Sequence, residues 1–265
     1  MRVTLGPADY ERALASAGLS DVAVIHKQHT GSTNDDARGI AASAHLSGPG
    51  GIAVVIAETQ TQGRGRGSNS WFSPEGSIAF TITVPEVEIG RLGVLPLGVG
   101  AAVTHALRQL GVPALVKWPN DVLIDGLKVC GILCESSLLF GTARVYVGVG
   151  INVEPVPVAQ GSPLLATSLS ARGLEVDRPG LVADITARVL NMIRGGDAGQ
   201  TIVNEWKAVS VPWWGKTVSV FEGEVEKRVT LMDVSPVGQL VVRDEAGVAR
   251  SLVSGEVRQL RGDPP

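Results

Sequence analysis

A chain of 265 residues with a net charge of −3, 44% hydrophobic and 18% charged, has the make-up of a soluble globular enzyme with a sizeable core. The acidic balance argues against a protein that coats nucleic acid or anionic membranes, although two or three well-placed cations suffice for a local anion site. The amino-terminal MRVTLGPADYERALA lacks the regions of a signal peptide and no apolar run reaches ~18 residues, so a cytoplasmic protein is expected.

Residues 1–25 read as short and mixed, with a first strand near Val22–Lys27. GSTNDDARGIAASA then opens a helix: Ser32 or Thr33 can cap it, and Asp35 and Asp36 suit the positive end of its dipole. GIAVVIAET (51–59) reads as a buried strand, and SIAFTITV (77–84) as a second with Ile78, Phe80 and Ile82 in alternation. LGVGAAVTHALRQLG (97–111) predicts a helix that stops at Gly111. VLIDGLKVCGILCE (122–135) sets two apolar runs around Asp125-Gly126, a strong hairpin signal, and RVYVGVGINV (144–153) supplies the next strand. DRPGLVADITARVLNMI (177–193) is an amphipathic helix, and TIVNEWKAV (201–209) predicts another. From about residue 216, KTVSVF, EKRVTLMDV, GQLVVRD and ARSLVSGEVRQL are short strands between turns, the pattern of an SH3-like barrel. The expected fold is α+β: a mixed β-sheet with helices packed on it over residues 1–212, then a small β domain over 213–265.

Cys130 and Cys134 fall on one predicted strand, roughly 13 Å apart along it, too far for a disulfide. His26, His29, His45 and His105 are scattered, so no zinc-ligand spacing exists. The stretch TQGRGRGSNSWFSPEGS (61–77) sets Arg64 and Arg66 between three glycines and follows them with Trp71 and Phe72. Such a loop can bring backbone N–H groups and guanidinium forks onto an anion; it is equally readable as a solvated turn. It is not a dinucleotide fingerprint, because position 68 is Ser, and no G-x-x-x-x-G-K-[ST] occurs. In VKWPNDVLIDGLKVCGILCE (116–135), Lys117, Asn120 and Asp121 crowd a Trp-Pro kink at a strand end, where side chains face a cleft. Alternation places Lys128 on the face of Cys130, Ile132 and Cys134, with Val129 and Leu133 on the other. A lysine there either snorkels to water from the hairpin end or meets a ligand carboxylate or acyl oxygen.

GSTN (31–34), ETQTQGRGRGSNSWFSPEGS (58–77), KWPNDV (117–122), LKVCGILCE (127–135), GVGINV (148–153) and ATSL (166–169) run in this order across most of residues 31 to 170. Together they resemble the catalytic domain of biotin–protein ligases, enzymes that attach biotin to carboxylase carrier domains. The resemblance implies a class II synthetase-like catalytic domain, with biotin, ATP and Mg²⁺ as its small molecules. It also implies two steps: biotin's carboxylate attacks the α-phosphate of Mg-ATP, and a lysine of the biotin carboxyl carrier domain of an acyl-CoA carboxylase then takes the biotinyl group. Neither nucleic acid nor membrane is an expected partner.

By the same resemblance, Ser32, Thr33, Asn34 and Gln60 would line the biotin pocket, and Gly63, Arg64, Gly65 and Arg66 would close over biotin and the adenylate. Arg64 would stand near the biotin carboxyl end and Arg66 on phosphate; Trp71 would wall the pocket, and Gly131 and Gly148 would keep its floor bare. Lys128 would hold the biotin carboxylate and the charge that builds on the acyl or phosphoryl oxygen. Lys117, Asn120, Asp121 and Asn152 would serve the nucleotide, with Asp121 a magnesium ligand. The sequence departs from the family where Ser68 replaces a frequent glycine. Residues 153–165 hold no aromatic to stack on adenine, and the GST motif at 31 leaves no room for a preceding DNA-binding domain. Glu256 and Arg261 of the terminal module are further nucleotide-side candidates. Competing readings are a lipoate or octanoate ligase of the same superfamily, a non-enzymatic biotin-sensing regulator, and a β-module scaffold.

Overall fold

The computed structural model describes residues 5–42, 51–156, 166–196, 199–223 and 225–259. In chain order the elements are α1 (Pro7–Ser16), β1 (Ala23–Thr30), α2 (Thr33–Ala42), β2 (Ala53–Gln60), β3 (Ile78–Glu88), α3 (Leu95–Gln109), β4 (Ala114–Lys117) and β5 (Asp121–Ile124). There follow β6 (Leu127–Leu139), β7 (Thr142–Ile151), α4 (Arg178–Arg194), α5 (Gly199–Ala208), β8 (Thr217–Glu222), β9 (Val225–Val234), β10 (Leu240–Asp244), β11 (Ala249–Leu252) and β12 (Glu256–Arg258). The fold is α+β, and the chain divides into two compact units: Met1–Ile89 with Leu127–Gly195, and Gly90–Gly126 with Gly196–Pro265.

In the first unit, five strands run in the order β1-β2-β3-β7-β6. β1 and β2 are parallel and joined through α2; the other pairs are antiparallel. Because a strand's side chains alternate between faces, the register sorts residues into rows. One row, Ile56–Phe80–Val149–Ile132, is bulky and almost fully buried. The next, Ala57–Ala79–Gly150–Gly131, lies on the opposite face and is made of the smallest residues available. A shallow shelf four strands wide results on that face, bare backbone at its glycine end. α2 packs nearby through Ala37, which meets Val55 and Tyr146.

α2 begins where the sequence places it: the Ser32 carbonyl accepts the Asp36 N–H at 3.0 Å, and Asp35 and Asp36 occupy the first turn. Helix α1, over residues read as short and mixed, has Pro7 in its first turn and buries Tyr10 and Leu14 one turn apart. The Asp9 carboxylate accepts the Gly6 N–H at 2.8 Å. A polar cluster also ties this unit together. Glu58 on β2 accepts from Arg178 of α4 at 2.8 Å and meets His26 of β1 at 2.9 Å, while Tyr10 stacks on His26 with ring centroids 5.5 Å apart.

In the second unit, α3 packs on α5, and β4 pairs with β5. Val116 exchanges backbone hydrogen bonds with Val209 and Val211, at 3.0 and 2.9 Å. Those bonds group residues 90–126 with the chain after 196, whereas the sequence reading drew a single boundary at 212/213. The turn after β5 has Asp125 and Gly126 at φ 49° and 76°, the left-handed conformation a two-residue hairpin turn requires. The terminal strands form an antiparallel sheet in the order β11-β10-β9-β8-β12, the β module expected there. Glu256 pairs with Arg258. Arg261 and most of the segment examined for an adenine-stacking aromatic lie outside the described residues.

Candidate active site

Trp71 lies on the glycine end of the small-residue shelf. A methyl group at Gly150 would sit 2.4 Å from the indole, and one at Gly131 would sit 2.9 Å from it, so the ring's place exists only because both strands lack a side chain there. The Lys128 ammonium stands 5.6 Å from the centre of the same ring, within cation–π range. Strict alternation had put Lys128 with Cys130, Ile132 and Cys134. Instead its side chain curls to the Gly131 side, where a methyl at Gly131 would touch the lysine Cε at 3.4 Å. At this point of β6 the pairing with β7 has yet to begin, starting at Cys130, and Lys128 is bridged to Ala166 by a hydrogen bond from the Thr167 N–H to its carbonyl. Trp71 Nε1 is buried without an acceptor in the protein.

The glycine–arginine stretch is a small hairpin. Trp71 donates its N–H to Gly63 O at 2.8 Å, Gly65 to Asn69 O at 2.7 Å, and Asn69 to Arg66 O at 3.2 Å, closing a turn with Gly67 at φ 62°. The strands of this hairpin are pressed so close that a methyl at Gly63 would lie 2.3 Å from Trp71 O. Arg66 occupies the turn and is half-buried. Arg64 points elsewhere: its guanidinium grips both oxygens of Glu135, at 3.1 and 2.8 Å, and reaches Asp35 at 2.7 Å. Loop and sheet enclose a cleft of about 470 Å³ lined by Gln62, Arg64, Gly67, Asn69, Leu133 and Glu135.

Beneath the loop, Thr33 donates its backbone N–H and its hydroxyl to Gln60 Oε1, at 2.9 and 3.2 Å. The Thr81 hydroxyl donates to Asn34 Oδ1 at 2.6 Å, and Asn34 Nδ2 donates to Glu135 at 2.8 Å and to Leu133 O at 3.3 Å. Asn34 is thus a buried strut. Gly148, whose added methyl would meet Asn34 Oδ1 at 2.4 Å, is the space that admits it. Burial works against the Glu135 charge, but the Asn34 amide, Arg64 and Arg38 outweigh it and hold its carboxyl below the usual range. Burial, with Glu135 adjacent, pushes the Cys134 thiol up to about 12; both cysteines are free.

Asn152 is buried at the end of β7; its Nδ2 donates to Thr167 O at 3.1 Å and its carbonyl accepts the Leu169 N–H at 3.0 Å. It fastens the ATSL segment. In the second unit, the Trp118–Pro119 peptide is cis, and the Lys117 ammonium lies 3.0 Å from Asp121 Oδ2 in a buried ion pair rather than an aligned hydrogen bond. Among the described residues no three His, Cys, Asp or Glu side chains gather into a metal site.

The profile of the Biotin/lipoate A/B protein ligase family matches residues 32–152. A biotin–[acetyl-CoA-carboxylase] ligase of Mycobacterium tuberculosis is 31% identical over 257 residues, 93% of this chain and 92% of its own length. The chain belongs to the biotin–protein ligase family. Biotin–protein ligase 1 of Arabidopsis thaliana is 38% identical over 132 residues, 46% of this chain and 34% of the relative; the chain spans less than half the length of several such curated relatives. The biotin protein ligase of Aquifex aeolicus, solved in complex with biotin and ATP, superposes with a TM-score of 0.72 at 25% identity, covering 90% of this chain and 99% of that one.

Of the site residues read from sequence, the first unit brings Thr33, Gln60, Gly63, Trp71, Gly131 and Lys128 to one face of the sheet, with Ser32 buried at the start of α2. Asn34, Asn152 and Gly148 serve internal bonds, and Lys117, Asn120 and Asp121 belong to the other unit. Sequence reading missed Glu135 and Gly150. Gly150 was legible in principle, since it stands two residues after Gly148 and so faces the same way.

Proposed function

We propose that the protein is an ATP-dependent biotin–protein ligase acting on the biotin carrier domain of an acyl-CoA carboxylase. Biotin's carboxylate displaces pyrophosphate from ATP to give biotinyl-5′-adenylate, and a carrier lysine amine then attacks the acyl carbon and releases AMP. The observation that carries this reading is the Lys128 ammonium over the Trp71 ring, on a shelf of glycine backbone beside the glycine–arginine hairpin. A flat apolar wall with a cation at its edge suits a small ring-bearing carboxylate. The cation lowers the repulsion between that carboxylate and a polyphosphate, and stabilises the charge that builds as they join.

In this reading Lys128 and Arg66 are the electrostatic groups, and Ser32, Thr33 and Gln60 shape the pocket. A nucleotide role for Asn120 is part of the same proposal. Magnesium enters as part of the Mg-ATP substrate, whose phosphates supply most of its ligands. Asp121 does not fit as a resident ligand, because Lys117 already neutralises its carboxylate inside the protein. Among the described residues no helix is long and apolar enough to cross a membrane, and ATP and carboxylase substrates would place the reaction in the cytoplasm.

Incubation with biotin, Mg-ATP and a biotin carrier domain, followed by intact-mass measurement, tests the proposal; one added biotinyl group is expected. A carrier left unmodified, or ATP–pyrophosphate exchange driven by lipoate and not by biotin, would overturn it.

A further inference from the structure

Glu135 has no part in the chemistry just described, yet three side chains from two elements converge on its carboxylate. Arg64 of the glycine–arginine hairpin meets it fork to fork at 3.1 and 2.8 Å. Asn34 of α2 donates to it at 2.8 Å, and Arg38 of the same helix stands 3.4 Å away. Asp35 adds a second carboxylate to Arg64 at 2.7 Å. Asn34 is itself fixed by Thr81 and by the space at Gly148, so the orientation of Glu135 is determined from behind.

The hairpin from Gly63 to Trp71 needs such a hold. Three glycines in five residues make its ordering entropically costly. Its internal bonds, Gly65 to Asn69 and Trp71 to Gly63, set its shape and not its place on the sheet. A paired fork of guanidinium and carboxylate supplies direction as well as attraction, which a lysine ammonium in the same position would not.

We propose that Glu135 is a positioning residue: it seats Arg64, and through Arg64 it fixes the hairpin and Trp71 over the site without touching the reactants. The inference rests on the reading of the Lys128–Trp71 shelf as the biotin site. It also changes the role expected of Arg64 from ligand contact to clasp.

The test is limited trypsin cleavage after residues 64 and 66 in the full chain without biotin or ATP, for wild type, Glu135→Gln, Arg64→Lys and the double variant. Melting temperatures and ATP–pyrophosphate exchange kinetics are measured alongside. Each single variant is expected to speed cleavage at this hairpin about ten-fold, and the double variant no further, since both remove one contact. KM for biotin should rise more than kcat falls, and by similar factors in the two single variants. Wild-type cleavage in Glu135→Gln, or single effects that multiply in the double variant, would overturn the proposal. So would a fall in kcat for Arg64→Lys that Glu135→Gln does not share. Should Glu135→Gln fail to fold, Arg64→Lys decides: unchanged cleavage overturns the clasp. Because cleavage is read without substrates, it judges the clasp even if wild type forms no adenylate, a result that would count against the proposed function alone.

Discussion

At Lys128 the proposed chemistry meets a single side chain, with the ammonium 5.6 Å from the Trp71 ring centre. Lys128→Ala should lower adenylate formation by on the order of 10²–10³-fold, about 2.7–4 kcal/mol of charge stabilisation, with an unchanged circular dichroism spectrum. Near-normal exchange activity would remove Lys128 from its role. Gly148→Ala should destabilise by about 1–3 kcal/mol, because the new methyl would displace the buried Asn34 amide and its bonds to Thr81 and Glu135; denaturant titration measures it. The residues proposed to carry chemistry stand out in the sequence because their types are unusual where they stand: a lysine after a turn, arginines among glycines. Asn34 reads as a pocket group from sequence, and the structure adds its bonds to Thr81, Leu133 and Glu135, since sequence shows a polar side chain but not which partners surround it.

Among the elements, α2, β2, β3, β7, α3 and α4 were legible from periodicity, caps and turn residues. Helix α1 was not. Two buried side chains on ten residues leave a faint stripe, and its stability comes from packing on α4. The Lys128 side chain leaves the face that simple alternation assigns it and reaches the Gly131 side beside Trp71, a departure that a two-residue period does not show. The hairpin 63–71 has a pH signature. Glu135 titrates below its ordinary 4.5: burial raises it, but Asn34, Arg64 and Arg38 lower it more. A depressed carboxylate contributes fully above the unfolded value and loses its contribution as pH falls through the folded one. The hairpin should therefore stay seated above about 4.5 and loosen in stronger acid. The fluorescence difference between wild type and Trp71→Phe, followed against pH, would report this. A signal that changes at higher pH instead would assign the transition to another group.

For the whole molecule, the mixed sheet and the terminal β module were foreseeable, while the division into units was not. Composition along the chain changes near 213, but the backbone bonds of Val116 to Val209 and Val211 join segments some ninety residues apart, and no local pattern announces them. The first unit is held partly by the Glu58–Arg178–His26 cluster, which joins β1, β2 and α4. Arg178→Ala leaves a largely buried carboxylate with only Tyr10 and His26 beside it and should cost about 3–5 kcal/mol, seen as a lower melting temperature. A loss under about 1 kcal/mol would mean that water compensates Glu58. The shelf beneath Trp71 has a consequence for anyone engineering the protein. Alanine is customarily the gentlest probe of a position, and here at Gly131 or Gly150 it becomes the harshest, because a single carbon would evict an entire indole. Mutational tolerance along those two strands should run opposite to chemical conservatism, and a pocket to be widened must be changed at its walls and never at its floor.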